Sequence, residues 1–158
     1  MFETLIQKLQ EDKFLTLETT PQHEPSMHNI IERIKKFKLQ DRVDGFSCTD
    51  NPLAKLKYNA LFASLKLQQE FKKPVIATMT MRDRNKIALQ SDLMGANDFD
   101  VRAILALTGD PANRSDQPNS KGVFEANSLM LLKIIKSFNY GMDFSGHPFK
   151  IEPKQIYP

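Results

Sequence analysis

Cysteine is almost absent from this chain, and its scarcity bears on where the protein works. Only one cysteine, Cys48, occurs among the 158 residues. A single thiol cannot form an internal disulfide, which fits a reducing compartment. The first residues have neither the basic segment nor the apolar segment of a secretory signal. No apolar run approaches the roughly 20 residues of a membrane-spanning helix. We therefore expect a cytoplasmic protein with no membrane partner.

The sequence also lacks paired metal ligands and a strong excess of charge. Its three histidines, His23, His28 and His147, do not have the paired spacing of a structural zinc site, so we expect no metal. The formal net charge is only +3. Pairs of lysines fall near the ends of predicted helices, where cations complement the helix dipole. This explanation is favoured over a nucleic-acid surface, and we expect no nucleic-acid partner.

What the sequence does contain is a regular alternation of strand-like and helix-like segments. A leading helix is predicted over residues 1–12. Strands are predicted at 14–17, 43–48, 74–80 and 103–107. Helices are predicted over 30–37, from the cap Asn51 through 71, from 83–85 to Gly95, and over 129–138. A polar loop spans 112–122. The fourth strand is apolar throughout, which is typical of a parallel strand covered on both faces.

This alternation predicts right-handed βαβ units and a parallel sheet in a single domain, residues 1–158. An open doubly wound sheet and a barrel both satisfy the pattern. The glycine-rich dinucleotide fingerprint and the P-loop are both missing, which favours the barrel. A complete (β/α)8 barrel of the TIM type needs about 250 residues. We therefore expect an α/β fold with the first four to five units of such a barrel, residues 155–158 approaching strand five.

Polar residues stand at the predicted end of each strand. Glu18, Thr49, Thr78 and Thr108 recur at intervals of about 30 residues. In barrels of this kind the carboxyl ends of the strands carry the catalytic groups. Burial at a strand end would raise the pKa of a glutamate and suit it to act as a general acid. A salt bridge or a loop cap is the structural alternative for Glu18.

Two further segments of this rim have a functional and a structural interpretation. Gly109 and Asp110 fit a tight turn, or a backbone that approaches a flat ligand while the carboxylate accepts a hydrogen bond. Asp83 is predicted to cap a helix, while Arg82 and Arg84 are either solvated or bind phosphate. The methionines of this region are interpreted as core residues.

Four sequence strings together resemble the methylenetetrahydrofolate reductase family. They occur in that family's order and spacing, and the third and fourth are the most specific. The strings are LETTP (17–21), TDNP (49–52), MRDRNKIALQSDL (81–93) and ILALTGDP (104–111).

The resemblance implies an FAD-containing (β/α)8 barrel that reduces 5,10-methylenetetrahydrofolate to 5-methyltetrahydrofolate, in one-carbon metabolism and methionine supply. Glu18 matches the glutamate that acts as the general acid opening the five-membered ring of the substrate. Asp110 matches an aspartate near both flavin and pterin. Thr49, Thr108 and Gly109 match positions that line the FAD site.

The resemblance also leaves open questions about this chain. Thr78 stands where some members have histidine, and Thr108 where some have arginine, so FAD contacts there differ in detail. Electrons come from NADH, NADPH or a partner subunit. Because half a barrel leaves its core open, we expect the chain alone to bind FAD poorly and to be inactive, unless another chain or a second copy completes it. The alternatives are a non-catalytic half-barrel that pairs with a partner, and an open sheet that binds another small ligand.

Overall fold

The predicted alternation of strands and helices is confirmed. The computed structural model describes residues 2–11, 13–117 and 119–158. Within these residues the chain forms five α helices and four strands, in an α/β arrangement. In chain order they are α1 (Phe2–Glu11), β1 (Thr16–Thr19), α2 (His28–Lys36), β2 (Gly45–Cys48), α3 (Ala60–Phe71), β3 (Val75–Thr80), α4 (Lys86–Asp98), β4 (Ala103–Leu107) and α5 (Ser128–Asn139). The polar loop carries a short 3₁₀ turn at Ala112–Arg114.

The four strands form one parallel sheet in the order β1-β2-β3-β4. Tyr157 extends this sheet at its β4 edge. Its carbonyl accepts a hydrogen bond of 2.8 Å from the Ile104 amide, and its own amide donates one of 2.8 Å to the Arg102 carbonyl. The resulting bridge to Ala103 is parallel, so residues 155–158 do approach the position of a fifth strand. This arrangement is consistent with a partial TIM-like barrel.

The two faces of the sheet are covered very differently. On one face, helices α2 to α5 bury the strand residues in two apolar clusters. That helix-covered face includes Phe46, Cys48, Ala77, Met79 and Ile104, each at most 1% exposed.

The opposite face, which we call the open face, is covered at its base by α1. There Phe2 and Leu5 of α1 pack near Ala103 and Ile76. Further along β4, Leu105 is 48% and Leu107 is 40% exposed. The expectation that β4 is covered on both faces is therefore wrong, because an apolar run does not reveal which of its sides a neighbour covers.

Helix α3 begins later than the sequence predicted. Its cap is Asn59, whose side chain accepts hydrogen bonds from the amides of Leu61 and Phe62. Asn51 instead has a left-handed backbone, with a φ of 42°, and its Oδ1 accepts a hydrogen bond of 2.9 Å from the Lys57 amide. The Asn51-Pro52 pair therefore begins only a short 3₁₀ turn, Pro52–Ala54, and does not start α3.

The predicted bounds of α4 also need one correction. Its cap is Asn85, inside the predicted start, and Asn85 Oδ1 accepts a hydrogen bond of 2.9 Å from the Ala88 amide. The helix does not stop at Gly95 but continues to Asp98. The amide of Phe99 still bonds to the carbonyl of Gly95, so the helical hydrogen bonding passes through the glycine.

Candidate active site

Three of the predicted site residues lie on the open face. Glu18 is exposed and pairs in register with Ser47 of β2. Thr49 follows Ser47 by two residues, and Thr78 pairs with Leu105 of β4. Because successive side chains of a strand point to opposite faces, these positions all share the side on which Leu105 is exposed.

The spacing of about 30 residues does not place these groups at one height. Glu18 lies opposite Ser47, which in turn lies opposite Ile76. Thr49 and Thr78 therefore stand one pleat nearer the rim than Glu18. Thr49 Oγ1 is 3.3 Å from Thr20 Oγ1, so the hydroxyls of neighbouring strands meet there.

Thr108 has a different position, with its hydroxyl directed to the helix-covered side. Its Oγ1 accepts a hydrogen bond of 3.1 Å from the amide of Ser128, the first residue of α5. This bond satisfies one of the unpaired amides at the start of a helix. The structure thus does not bring the Thr108 side chain to the open face with the other threonines.

Gly109 is required by its backbone conformation and by its neighbours at the end of β3 and just beyond it. Its φ is +98°, in the region that favours glycine. A Cβ at this position would lie 2.9 Å from Cβ of Arg82 and 3.2 Å from Cβ of Thr80. The close approach in this structure is thus between two neighbouring strand ends.

Asp110 is held by the loop that follows β2. Its Oδ2 accepts a hydrogen bond of 2.7 Å from the Leu53 amide, while Oδ1 lies 3.9 Å from Arg114 Nη1. Leu53 and Ala54 both have left-handed φ values, 57° and 58°. Such conformations cost about 1–3 kcal/mol each and persist only where surrounding contacts impose them. Asp110 is therefore fixed in place while its side chain stays 38% exposed.

Sequence reasoning missed a buried ion pair behind this rim. The Asp50 side chain, only 1% exposed, has Oδ2 3.1 Å from both the amide and the hydroxyl of Thr80, which donate to it, and 2.7 Å from Arg84 Nη1. Arg84 also donates to Asp92 Oδ2 over 2.8 Å. Burial opposes the charge of Arg84, but Asp50 and then Asp92 outweigh it, and the pKa of the guanidinium is raised.

The Asp50–Arg84 pair links the end of β2 to β3 and to the start of α4. Arg84 is therefore neither solvated nor available to bind phosphate, contrary to both interpretations of its position. The available signal was an aspartate that follows the end of a buried strand by two residues.

Arg82 and Asp83 form a second pair at the rim. The Arg82 side chain is 2% exposed, and its Nε and Nη2 each donate to Asp83 over 2.7 Å. Burial opposes ionisation of Asp83, but the hydrogen bonds and charge of Arg82 outweigh it and keep the pKa of Asp83 below its usual value. Asp83 is thus not the cap of α4, and Arg82 is not solvated.

A family model for methylenetetrahydrofolate reductase matches residues 2–151. The chain belongs to the methylenetetrahydrofolate reductase family. All four strings that carried the sequence resemblance lie inside the matched range. Membership makes the chain part of an oxidoreductase family that acts on a folate. Among curated proteins, none matches this chain.

The described residues of this methylenetetrahydrofolate reductase family member lack both a grouped metal site and a membrane-spanning helix. Nowhere in residues 2–11, 13–117 and 119–158 do three or more metal-binding side chains group into a metal site. Across the same residues no helix has the length and apolarity to cross a membrane.

Proposed function

We propose that this chain forms the first half of an FAD-dependent methylenetetrahydrofolate reductase barrel and contributes its proton donor. Family membership supports folate reduction in general. The observation that carries the finer assignment is the position of Glu18, an exposed carboxyl on the open face of the sheet. A group placed there is able to reach a ligand above the sheet, whereas a buried salt bridge would have removed it from chemistry.

The open face suits a flat heterocycle with a polar edge. Leu105 and Leu107 offer exposed apolar surface. Thr78 lies opposite Leu105 on β3, although it is only 7% exposed, and Thr49 follows β2 on the same face. Apolar walls with a few placed polar groups are typical of cofactor sites. These residues therefore fit FAD, which when bound would supply the hydride for folate reduction.

The candidate site residues of this chain then each have a defined part in the reaction. Glu18 donates a proton to a nitrogen of the five-membered ring, which opens the ring and leaves the carbon ready for reduction. Asp110, held by the Leu53 amide, accepts a hydrogen bond from the flavin or the pterin. Gly109 and Thr108 would contact FAD through their backbone, since the Thr108 hydroxyl already bonds to α5.

The reaction needs two further components. Electrons would come from NADH, NADPH or a donor subunit. Because Leu105 and Leu107 remain uncovered, a second half-barrel, from another chain or another copy of this one, would complete the site. The buried thiol of Cys48 suits the reducing cytoplasm as the place of this reaction. A non-catalytic half-barrel that pairs with a partner is the second candidate, favoured by the same uncovered surface.

The substitution Glu18→Gln separates the two candidates. In an assembly that binds FAD, we expect it to abolish methylenetetrahydrofolate-dependent reoxidation of reduced flavin while flavin absorbance stays unchanged. Glu152→Gln is the matched control, because Glu152 is also exposed and lies far along the chain from the rim. Turnover of the Glu18→Gln protein near that of the control would rule out the proton-donor role.

The chain without a partner provides a second test. Size exclusion combined with flavin absorbance should show little FAD on a monomer of 18.1 kDa. Stoichiometric FAD on a monomer would contradict the need for a second half.

A further inference from the structure

A depression with a volume of about 170 Å³ opens at the rim, between the loops that follow β2, β3 and β4. One water molecule occupies about 30 Å³ in the liquid, so the depression is large enough for a small polyatomic ligand. None of the roles proposed above uses it. Its lining residues that carry charges or hydroxyls are Lys55, Arg82, Asp83, Ser115, Ser120 and Lys121.

The inner wall of this depression holds an unsatisfied cation. Arg82 Nη1 is buried and has no hydrogen-bond acceptor among the described residues. The guanidinium cannot rotate to bring Nη1 to an acceptor, because its other two nitrogens are already bound. Nε and Nη2 donate to Asp83, and Nη2 also donates to the Asn51 carbonyl over 3.0 Å. Leaving a charged donor without an acceptor costs more free energy than leaving a neutral one. A ligand that supplies an acceptor would recover that cost.

The mouth of the depression carries two more cations. Lys55 and Lys121 are both exposed, and within the described part of the chain neither takes part in an ion pair or a side-chain hydrogen bond. Asp83 is the one carboxylate among the described lining residues, and it is already bound to Arg82 and to Asn51 Nδ2. The lining thus has three cations against one anion, which favours an anion of charge near −2.

We propose that this depression binds a phosphate group, with Arg82 at the inner wall and Lys55 and Lys121 at the mouth. Guanidinium and ammonium groups together are the usual protein partners of phosphate oxygens. The residues around Leu53 and Ala54 hold one wall in a strained, fixed conformation, so the site is formed before the ligand arrives. This anion site goes beyond the proposed folate reduction and does not require flavin.

The test is a titration of the ¹⁵N-labelled full chain with inorganic phosphate and with pyrophosphate. We expect saturable binding that shifts the Nε–H resonance of Arg82. The double substitution Lys55→Gln/Lys121→Gln should weaken binding about tenfold, the equivalent of 1.4 kcal/mol. Both lysines are exposed, so their replacement leaves the fold intact. The matched control, Lys66→Gln/Lys133→Gln, removes two exposed lysines from α3 and α5 and should keep the parent affinity.

Two results would overturn the phosphate site. One is the absence of saturation by either anion at millimolar concentration. The other is equal affinity in the two double variants, which would mean nonspecific attraction to surface charge. Competition then identifies the source of the phosphate. Displacement of pyrophosphate by FAD but not by riboflavin indicates the diphosphate of a dinucleotide, and displacement by neither indicates a separate phosphorylated ligand. Both outcomes of the competition experiment support the anion site, and neither depends on catalytic turnover.

Discussion

Two adjacent residues of β4 show how differently the two sides of the sheet are used. Ile104 is 1% exposed and packs among the side chains of α4 and α5, while Leu105 is 48% exposed on the open face. Full burial of such a side chain contributes about 1.5–3 kcal/mol. On the helix-covered face this free energy already stabilises the fold. On the open face it remains available to a ligand or to a second half-barrel.

The largest effect should come from breaking the buried ion pair at the rim. Asp50→Ala leaves the buried guanidinium of Arg84 without its closest partner, and removing one member of such a pair typically costs about 3–5 kcal/mol. Urea denaturation monitored by circular dichroism measures this loss. Asp92→Ala is the control, because Asp92 is 36% exposed and should cost less than about 1 kcal/mol. Equal losses of stability in the Asp50→Ala and Asp92→Ala variants would show that water reaches the Asp50–Arg84 pair at the rim.

The comparison within β4 can be tested directly. Ile104→Ala should lower the free energy of unfolding by about 2–5 kcal/mol, because it leaves a cavity against α4 and α5. Leu105→Ala should change it by less than about 1 kcal/mol in the isolated chain. The same urea titrations give both values. If a second copy covers the open face, the stability of the parent protein would rise with protein concentration, and that of the Leu105→Ala variant would rise less.

Cys48 provides a pH-dependent test of the helix-covered face. Burial raises the pKa of its thiol to about 11 from the ordinary 9.0, a shift that the hydrogen bond with Ser64 partly opposes. The unfolded chain therefore loses this proton at lower pH than the folded chain. The associated stability is present below pH 9, is lost as the pH rises toward 11, and amounts to roughly 2–3 kcal/mol.

Denaturation curves at several alkaline pH values should show this decline for the parent protein. Cys48→Ala removes the thiol, so its stability should fall less steeply over the same range, although lysines and tyrosines titrate in both proteins. Identical slopes would mean that the thiol is open to solvent.

The smallest expected difference concerns two threonines on opposite sides of the sheet. Thr108→Val removes the acceptor for the first amide of α5 and should cost about 1 kcal/mol, as for other helix caps. Thr49→Val on the open face should lower the free energy of unfolding by only about 0.3 kcal/mol, because it removes no helix cap. Thermal denaturation of the two variants under identical conditions measures the difference. A larger loss for Thr49 would assign it a structural role in addition to its proposed contact with FAD.

The sequence predicted those features that local chemistry determines. The bounds of β4 were predicted correctly, and the start of α4 followed from the range that contains its cap, Asn85. The helix after β2 was placed too early because Asn51-Pro52 carries the same capping signal as Asn59, and only the left-handed backbone of the loop distinguishes them.

The candidate site was harder to predict because it depends on strand register. Counting every second residue back from Thr108 leads to Ile104 on the helix-covered side, yet the even spacing of the four rim residues suggested a common direction. The pairing of Arg82 with its own neighbour Asp83 depends on burial, which local pattern does not reveal.

The bridge between Tyr157 and β4 makes the two edges of the sheet unequal as places where a further strand could pair. One edge, at β4, already carries a residue that fixes the alignment of any strand added there. The other edge, at β1, presents its backbone groups with no such guide in the described chain. Since a slip by one residue exchanges the two faces of a strand, an incoming strand would align correctly at β4 first and meet β1 last. If the sheet closes into the proposed barrel, pairing would therefore begin at the β4 edge and end at the β1 edge.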